Sequence, residues 1–158
     1  MVLERCLPRF LELFSELDVR ATFFVIGRDL ERDLENGGRG AKLLQRALAE
    51  GHELGNHSYA HAYDMHTWSS ADIARDIKKC DSLLRSIGAR PLGFRAPGYV
   101  HHKRMLHQVA GLGYRYDTSA LPSPPYYLAK IGVMGWMRLR GKRSASSAAG
   151  ATGYMGGT

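Results

Sequence analysis

Two histidines, His57 and His61, lie four residues apart in the segment 55–61, which reads Gly-Asn-His-Ser-Tyr-Ala-His. Imidazole is the commonest protein ligand for zinc, iron, copper and nickel. Two imidazoles at this spacing can reach one ion if the backbone between them turns helically. We therefore interpret the segment as half of a metal site, with both histidines as ligands. The structural alternative is a pair of histidines that are exposed or hydrogen-bonded in the core.

The elements that must position this segment alternate between strands and helices, which favours a parallel α/β architecture. Short runs of residues are predicted as strands at about residues 21–26, 52–56, 91–95 and 114–117. The first of these runs is apolar throughout, as is typical of a strand that is buried on both faces.

Three polar residues lie at the carboxyl ends of three successive predicted strands: His57, Arg95 and Asp117. In parallel α/β folds, functional sites form at the carboxyl ends of the strands. We therefore expect these three side chains to converge on one face of the sheet. Two of them also have structural alternatives, since Arg95 could be an ion-pair partner and Asp117 could cap a helix or stabilise a turn.

Helices are predicted where apolar residues recur at steps of three and four, at about residues 8–17, 43–48, 69–87 and 102–110. The first helix is expected to begin at Pro8, because proline is tolerated in a first turn and not in an interior. The charged stretch that leads to the second helix is expected to end in a glycine-rich loop at residues 36–40.

Composition limits the class of protein. The chain has 158 residues, of which 44% are hydrophobic and 23% charged, as expected for one globular domain with a core. Cys6 and Cys80 are expected to be buried free thiols. No apolar run of about eighteen residues and no secretory signal is visible, so the cytoplasm is the default compartment.

The net charge of +7 raises the question of an anionic partner. No base-stacking aromatic pattern accompanies the basic residues, so we expect no nucleic-acid partner. The basic segment 130–143 is interpreted as a solvated face and not as a membrane anchor, so we also expect no membrane association.

Three motifs in the chain together resemble the polysaccharide deacetylases of the NodB-homology type, carbohydrate esterase family 4. They are Thr-Phe-Phe-Val-Ile-Gly at 22–27, Gly-His-Glu-Leu-Gly-Asn-His-Ser-Tyr-Ala-His at 51–61, and Phe-Arg-Ala-Pro-Gly-Tyr at 94–99. The resemblance implies a distorted (β/α) barrel, here partial and incomplete at both ends.

The resemblance also divides the chain into three parts. Residues 1–120 would be the central part of the deacetylase domain. Residues 121–140 would form a proline-rich loop and a basic helix, and residues 141–158 a flexible tail rich in glycine, serine and alanine.

The family removes acetyl groups from N-acetylated sugars with one divalent metal, and this implies a role for each motif residue. His57 and His61 would be metal ligands, for zinc in the first place, with cobalt, nickel, manganese and iron as alternatives. Arg95 would orient the catalytic base and line the groove. Tyr99 would donate its backbone N–H to the oxyanion, or would simply pack in a turn. Asp117 would be the acidic residue of a later motif.

Two of the family's motifs have no counterpart in this chain. The Asp-Asp pair that supplies the base and the third metal ligand is missing from residues 1–7, and no histidine follows His107 to serve as the general acid. We therefore expect little or no deacetylase activity, and exposed apolar faces that favour self-association. The alternatives are a non-catalytic remnant that binds glycan or protein, and a related amidohydrolase acting on small amides.

Overall fold

The centre of the fold is a four-stranded parallel sheet with the order β1-β2-β3-β4. The computed structural model describes residues 2–99, 102–120 and 123–141. The strands are β1 (Thr22–Val25), β2 (Glu53–Asn56), β3 (Gly93–Phe94) and β4 (Tyr116–Asp117). All four predicted strands are confirmed, each shorter than predicted.

The register of the sheet aligns the carboxyl ends of its strands. Val25 pairs with Asn56, Asn56 with Phe94, and Phe94 with Asp117. The loops that leave β2, β3 and β4 therefore begin side by side, which confirms the predicted α/β class and the edge at which a site can form.

The described residues contain six α-helices in addition to the sheet. They are α1 (Val2–Glu16), α2 (Gly27–Glu35), α3 (Arg39–Ala49), α4 (Ser70–Ser86), α5 (Lys103–Gly111) and α6 (Pro124–Leu139). Helix α1 packs on α3, α2 packs on α3 and α4, and α4 packs on α5 and β2. No helix in this described part of the chain is long and apolar enough to cross a membrane.

The predicted start of α1 at Pro8 is wrong, because the helix begins at Val2 and holds Pro8 in its interior. Proline there removes one hydrogen bond from the helix. Leu7 and Leu11 are 4% and 0% exposed, and their burial against α3 offsets that loss. Tertiary packing thus extends the helix through a residue that would end an isolated one.

The charged stretch before α3 is a helix for most of its length, so the predicted loop there is shorter than expected. Helix α2 includes residues up to Glu35, and α3 already begins at Arg39. The carboxylate of the buried Asp33 accepts hydrogen bonds from the N–H groups of Gly40 (2.9 Å) and Ala41 (2.7 Å). A side chain of α2 therefore caps α3, and the pattern within either segment alone does not predict this contact.

The core has two clusters of buried apolar residues. The first includes Leu11, Leu44 and Leu84, and the second includes Ile77 and Phe94. Helix α4 contributes to both, so it joins the two halves of the molecule.

The two cysteines differ in exposure. Cys80 is fully buried in the first cluster, as expected, and burial raises the pKa of its thiol to about 12. Cys6 is exposed, so the expectation of a buried thiol there is wrong. The face of α1 that packs on the core carries Leu7 and Leu11, and Cys6 lies outside it.

The proline-rich segment also differs from its prediction. Pro124 and Pro125 were expected in a loop, yet they form the first turn of α6, where a missing N–H costs no helical hydrogen bond. The predicted basic helix is therefore confirmed and begins earlier. Residues 142–158 of the predicted tail lie outside the described residues.

Candidate metal and substrate site

The two predicted metal ligands come together at the end of β2. The ring centroids of His57 and His61 are 4.9 Å apart, with an angle of 66° between the ring planes. The backbone between them does not form the expected helical turn, because Ser58 and His61 have left-handed φ angles of 63° and 51°. The rings meet through this irregular turn, which is held by specific hydrogen bonds.

Three polar side chains stabilise the turn. The Asn56 side-chain oxygen accepts from the N–H of Ser58 (2.8 Å), and the Ser58 hydroxyl accepts from the N–H of His61 (2.9 Å). Asp76 on α4 accepts from the N–H groups of Tyr59 and Ala60, both at 2.8 Å. These bonds pair buried backbone groups and offset the cost of the left-handed residues.

Sequence analysis missed Asp76 as a part of this site. A signal for it was present, because this carboxylate lies on the apolar stripe of α4, three residues after Ile73 and next to Ile77. An acidic residue on a buried helix face needs a partner. Its partner is the turn that carries the histidines.

The protonation of His57 is defined by its neighbour. Its Nδ1 lies 2.7 Å from the carbonyl oxygen of Arg95. Because a carbonyl only accepts, Nδ1 carries the proton and Nε2 keeps its lone pair. Burial lowers the pKa of His57, while its bond to the carbonyl opposes this shift. The neutral ring with a free Nε2 is the form that binds a metal ion.

His61 is also held in its neutral form. Burial lowers its pKa, and the negative charge of Asp29 acts in the opposite direction. Both histidines therefore offer neutral imidazole donors near neutral pH, which suits a divalent ion.

Arg95 lies beside the histidines and is held by an aromatic ring and a hydroxyl group. Its guanidinium carbon is 4.4 Å from the centroid of the Phe24 ring. Its Nε donates to the hydroxyl of Thr118 at 2.8 Å. These contacts fix a positive charge at the carboxyl edge of the sheet.

Tyr99 has a left-handed φ of 57°, at the end of a short turn over residues 97–99. Its N–H points to the carbonyl oxygen of Ala96 at 3.3 Å. As the predicted oxyanion donor, this N–H would give up its long hydrogen bond to Ala96. That role stays a prediction.

Asp117 forms a turn at the end of β4. Its two carboxylate oxygens accept from the N–H (2.9 Å) and the hydroxyl (2.7 Å) of Ser119. The Ser119 hydroxyl in turn accepts from the N–H of Ala96 at 2.8 Å. Asp117 therefore has the structural role that was one of its two alternatives, and it positions the loop that carries Arg95. Ser119, which is fully buried, was not singled out from the sequence.

One cavity of about 810 Å³ is bordered by four of the five predicted site residues: His57, His61, Arg95 and Tyr99. Asp117 is not among the residues that border it. Helix α6 borders the cavity from the other side. Within residues 2–99, 102–120 and 123–141, no three histidine, cysteine, aspartate or glutamate side chains lie close enough together to hold a metal ion. Among these described residues, the His57–His61 pair therefore offers two imidazole donors and no third ligand of these types.

Comparison with known proteins assigns the family. The family model for polysaccharide deacetylase matches residues 3–116. The chain belongs to the polysaccharide deacetylase family. A curated chitin deacetylase from Colletotrichum lindemuthianum is 34% identical over 120 residues. That match covers 75% of this chain and 47% of the relative, so the chain spans about half the length of this relative.

Solved structures of polysaccharide deacetylases and their relatives have the same fold. The structure of the chitin deacetylase from Colletotrichum lindemuthianum matches with a TM-score of 0.60 and 34% identity, over 71% of this chain and 49% of that one. The structure of a CE4 family pseudoenzyme from Bacillus anthracis matches with a TM-score of 0.62 and 25% identity, over 71% of this chain and 37% of that one. The predicted resemblance to a partial NodB-type barrel is confirmed.

Proposed function

We propose that this polysaccharide deacetylase chain provides the histidine half of a metal site and one wall of the groove that binds an N-acetylated glycan. The observation that carries the proposal is the His57–His61 pair, which borders one cavity together with Arg95. The similarity to a chitin deacetylase supports the substrate class.

The metal we propose is a divalent ion, with zinc first, because two neutral imidazoles are donors that zinc favours. When bound, such an ion polarises the amide carbonyl and lowers the pKa of water from about 16 to about 7. The Arg95 carbonyl keeps the Nε2 of His57 available for it. Catalytic zinc sites commonly have three protein ligands, so two donors predict weak binding.

The other residues of the cavity are suited to orient a sugar. Hydrolysis of the N-acetyl group consumes water and releases acetate and the sugar amine. Arg95 uses one of its five donors for Thr118, and the others can hold a carboxylate base or a sugar oxygen. The aromatic rings of Tyr63 and Tyr99 also border the cavity, and such rings pack on sugar rings.

The activity of the chain by itself should be weak or absent. Amide hydrolysis requires a general base and a general acid in addition to the metal, and the described residues gather no third acidic or histidine group at the pair. The same observation favours a second candidate function, in which the chain binds glycan in this groove without turning it over.

Metal binding tests the histidine pair directly. Titration with cobalt, followed by its visible absorption, should show one weak site in the wild type. His57→Ala and His61→Ala should each lower the affinity by at least about tenfold. His107→Ala, at an exposed position on α5, is the matched control and should bind cobalt as the wild type does. Equal affinity in all four proteins would contradict the proposed site.

Incubation with a chitooligosaccharide and zinc tests the function of the groove. We expect perturbation of the NMR signals of Arg95 and Tyr99 on addition of the sugar, with acetate release close to that of buffer. Substantial acetate release would overturn the proposed weak activity and support a complete deacetylase. An unchanged spectrum would contradict glycan binding itself.

A further inference from the structure

Helix α6 exposes an apolar face to solvent. Leu128, Ile131, Trp136 and Leu139 are 71%, 55%, 54% and 89% exposed. Their steps of three, five and three residues bring them onto one side of the helix. Contiguous exposed apolar surface of this kind marks an interaction site.

The opposite face of α6 is apolar as well. Val133, Met134 and Met137 border the cavity that holds the two histidines, and Val133 is also 57% exposed. A helix that is apolar on both sides is typically covered on both sides. With 16 residues and a rise of 1.5 Å per residue, α6 is about 24 Å long, less than the roughly 30 Å of a bilayer core.

The charge of this part of the chain indicates what covers the exposed face. No aspartate or glutamate follows Asp117, and the five basic residues after it are Lys130, Arg138, Arg140, Lys142 and Arg143. They supply +5 of the net charge of +7, which leaves +2 for the preceding residues. An excess of Lys and Arg is attracted to the headgroups of an anionic membrane, and exposed apolar side chains near these charges can enter the interface.

The carboxyl end of α6 combines both properties. The guanidinium carbon of Arg140 lies 4.1 Å from the centroid of the Trp136 ring. Tryptophan and arginine are both suited to the headgroup region, where the ring is partly buried and the charge remains near phosphate. The same positive charge would repel a second copy of this segment, so it disfavours a dimer through α6.

We propose that α6 docks on the surface of an anionic lipid bilayer through Leu128, Ile131, Trp136 and Leu139. The helix lies parallel to the membrane, with its basic end among the headgroups. Its other face continues to border the histidine cavity, so docking holds that cavity next to the bilayer. This proposal departs from the expectation of no membrane association, because the structure shows that large apolar side chains of the predicted basic helix are exposed. It does not depend on metal binding or deacetylation.

Vesicle flotation tests the proposal with the full chain. We expect binding to vesicles that contain phosphatidylglycerol, and weak binding to vesicles of phosphatidylcholine alone. Each basic residue near the surface should contribute about fivefold to binding, so high salt should release the protein. In a Trp68→Phe background, the emission of Trp136 should shift to shorter wavelength on anionic vesicles. Equal binding to both kinds of vesicle, or none to either, would overturn the proposal.

Two glutamate variants, at similarly exposed leucine or isoleucine positions, distinguish docking through α6 from non-specific binding of apolar surface. Ile131→Glu should weaken vesicle binding by at least about tenfold, since it places a negative charge in the apolar face. Leu17→Glu, at a position that is 61% exposed beyond α1, should bind as the wild type does. An equal loss in both variants would contradict docking through α6. If the protein binds no vesicles and sediments as a dimer that Ile131→Glu dissociates, the exposed face of α6 binds a second copy of the chain and not a membrane.

Discussion

At the scale of single residues, the position of Arg95 depends on a glycine in the neighbouring strand. The Phe24 ring, on which Arg95 stacks, lies across Gly55 of β2. A Cβ atom on Gly55 would lie 2.6 Å from two carbons of that ring, closer than real Cβ atoms approach. The absence of a side chain at Gly55 therefore makes room for the ring and indirectly fixes the guanidinium.

Substitution of this glycine is expected to displace the ring. Gly55→Ala should lower the free energy of unfolding by about 1–3 kcal/mol through overpacking, measured by urea denaturation. The control is Gly111→Ala at the end of α5, where nothing lies within 4 Å of the added carbon. That variant should be neutral or slightly more stable. If both variants unfold at the same urea concentration, Phe24 does not lie against Gly55 as described.

At the scale of elements, α4 links the core to the metal-ligand turn. Ile73, Ile77, Cys80 and Leu84 bury its apolar stripe, while Asp76 on the same helix holds the backbone of the turn. The helix begins with a side-chain cap, in which the Ser69 hydroxyl accepts from the N–H of Asp72 at 3.1 Å. The sequence predicted this start correctly, because serine followed by an acidic first turn is a local signal.

Removal of the Ser69 cap tests how much this cap contributes to the stability of the fold. Ser69→Ala should lower the free energy of unfolding by about 1 kcal/mol, since one N–H at the start of the helix loses its partner. Thermal denaturation followed by circular dichroism is the measurement. Ser82→Ala in the same helix is the control, because that hydroxyl only donates to the carbonyl of Lys78 on the exposed side. It should be neutral or slightly stabilising. A larger loss for Ser82→Ala than for Ser69→Ala would be inconsistent with this capping role.

At the scale of the whole molecule, Asn56 connects four separate segments of the fold by hydrogen bonds. Its amide donates to the carbonyl of Ile77 (2.9 Å) and to the hydroxyl of Tyr114 (2.7 Å), and its oxygen accepts from the N–H of Ser58. The side chain is fully buried. The same residue thus joins β2, α4 and the segment before β4 to the turn that carries the histidines.

Loss of Asn56 should therefore affect the entire fold. Asn56→Ala leaves buried polar groups without partners, each at about 1–3 kcal/mol, and should lower the free energy of unfolding by roughly 3–5 kcal/mol. Asn36→Ala is the control, since that exposed amide donates only to the carbonyl of Arg32. It should change stability by less than about 1 kcal/mol. Guanidinium denaturation distinguishes the two, and similar midpoints would rule out a central role for Asn56.

The sequence by itself determined the features that depend on local pattern. Short runs of residues located the four strands, capping and periodicity located α4, and the motif histidines with Arg95 identified the family. Each of these signals lies within a few residues of the feature it predicts, because strand burial, helix capping and metal-ligand chemistry are all local properties.

Only the tertiary structure decided what depends on residues distant in sequence. It showed Pro8 inside a helix that buries Leu7, and Asp76 as the support of the histidine turn. It showed that Asp117 stabilises a turn that reaches Ala96 through Ser119. It also showed that the predicted basic helix exposes large apolar side chains. For Pro8, Asp76 and Asp117, a residue 15 or more positions away supplies the hydrogen bond or the buried surface, and no local pattern contains it.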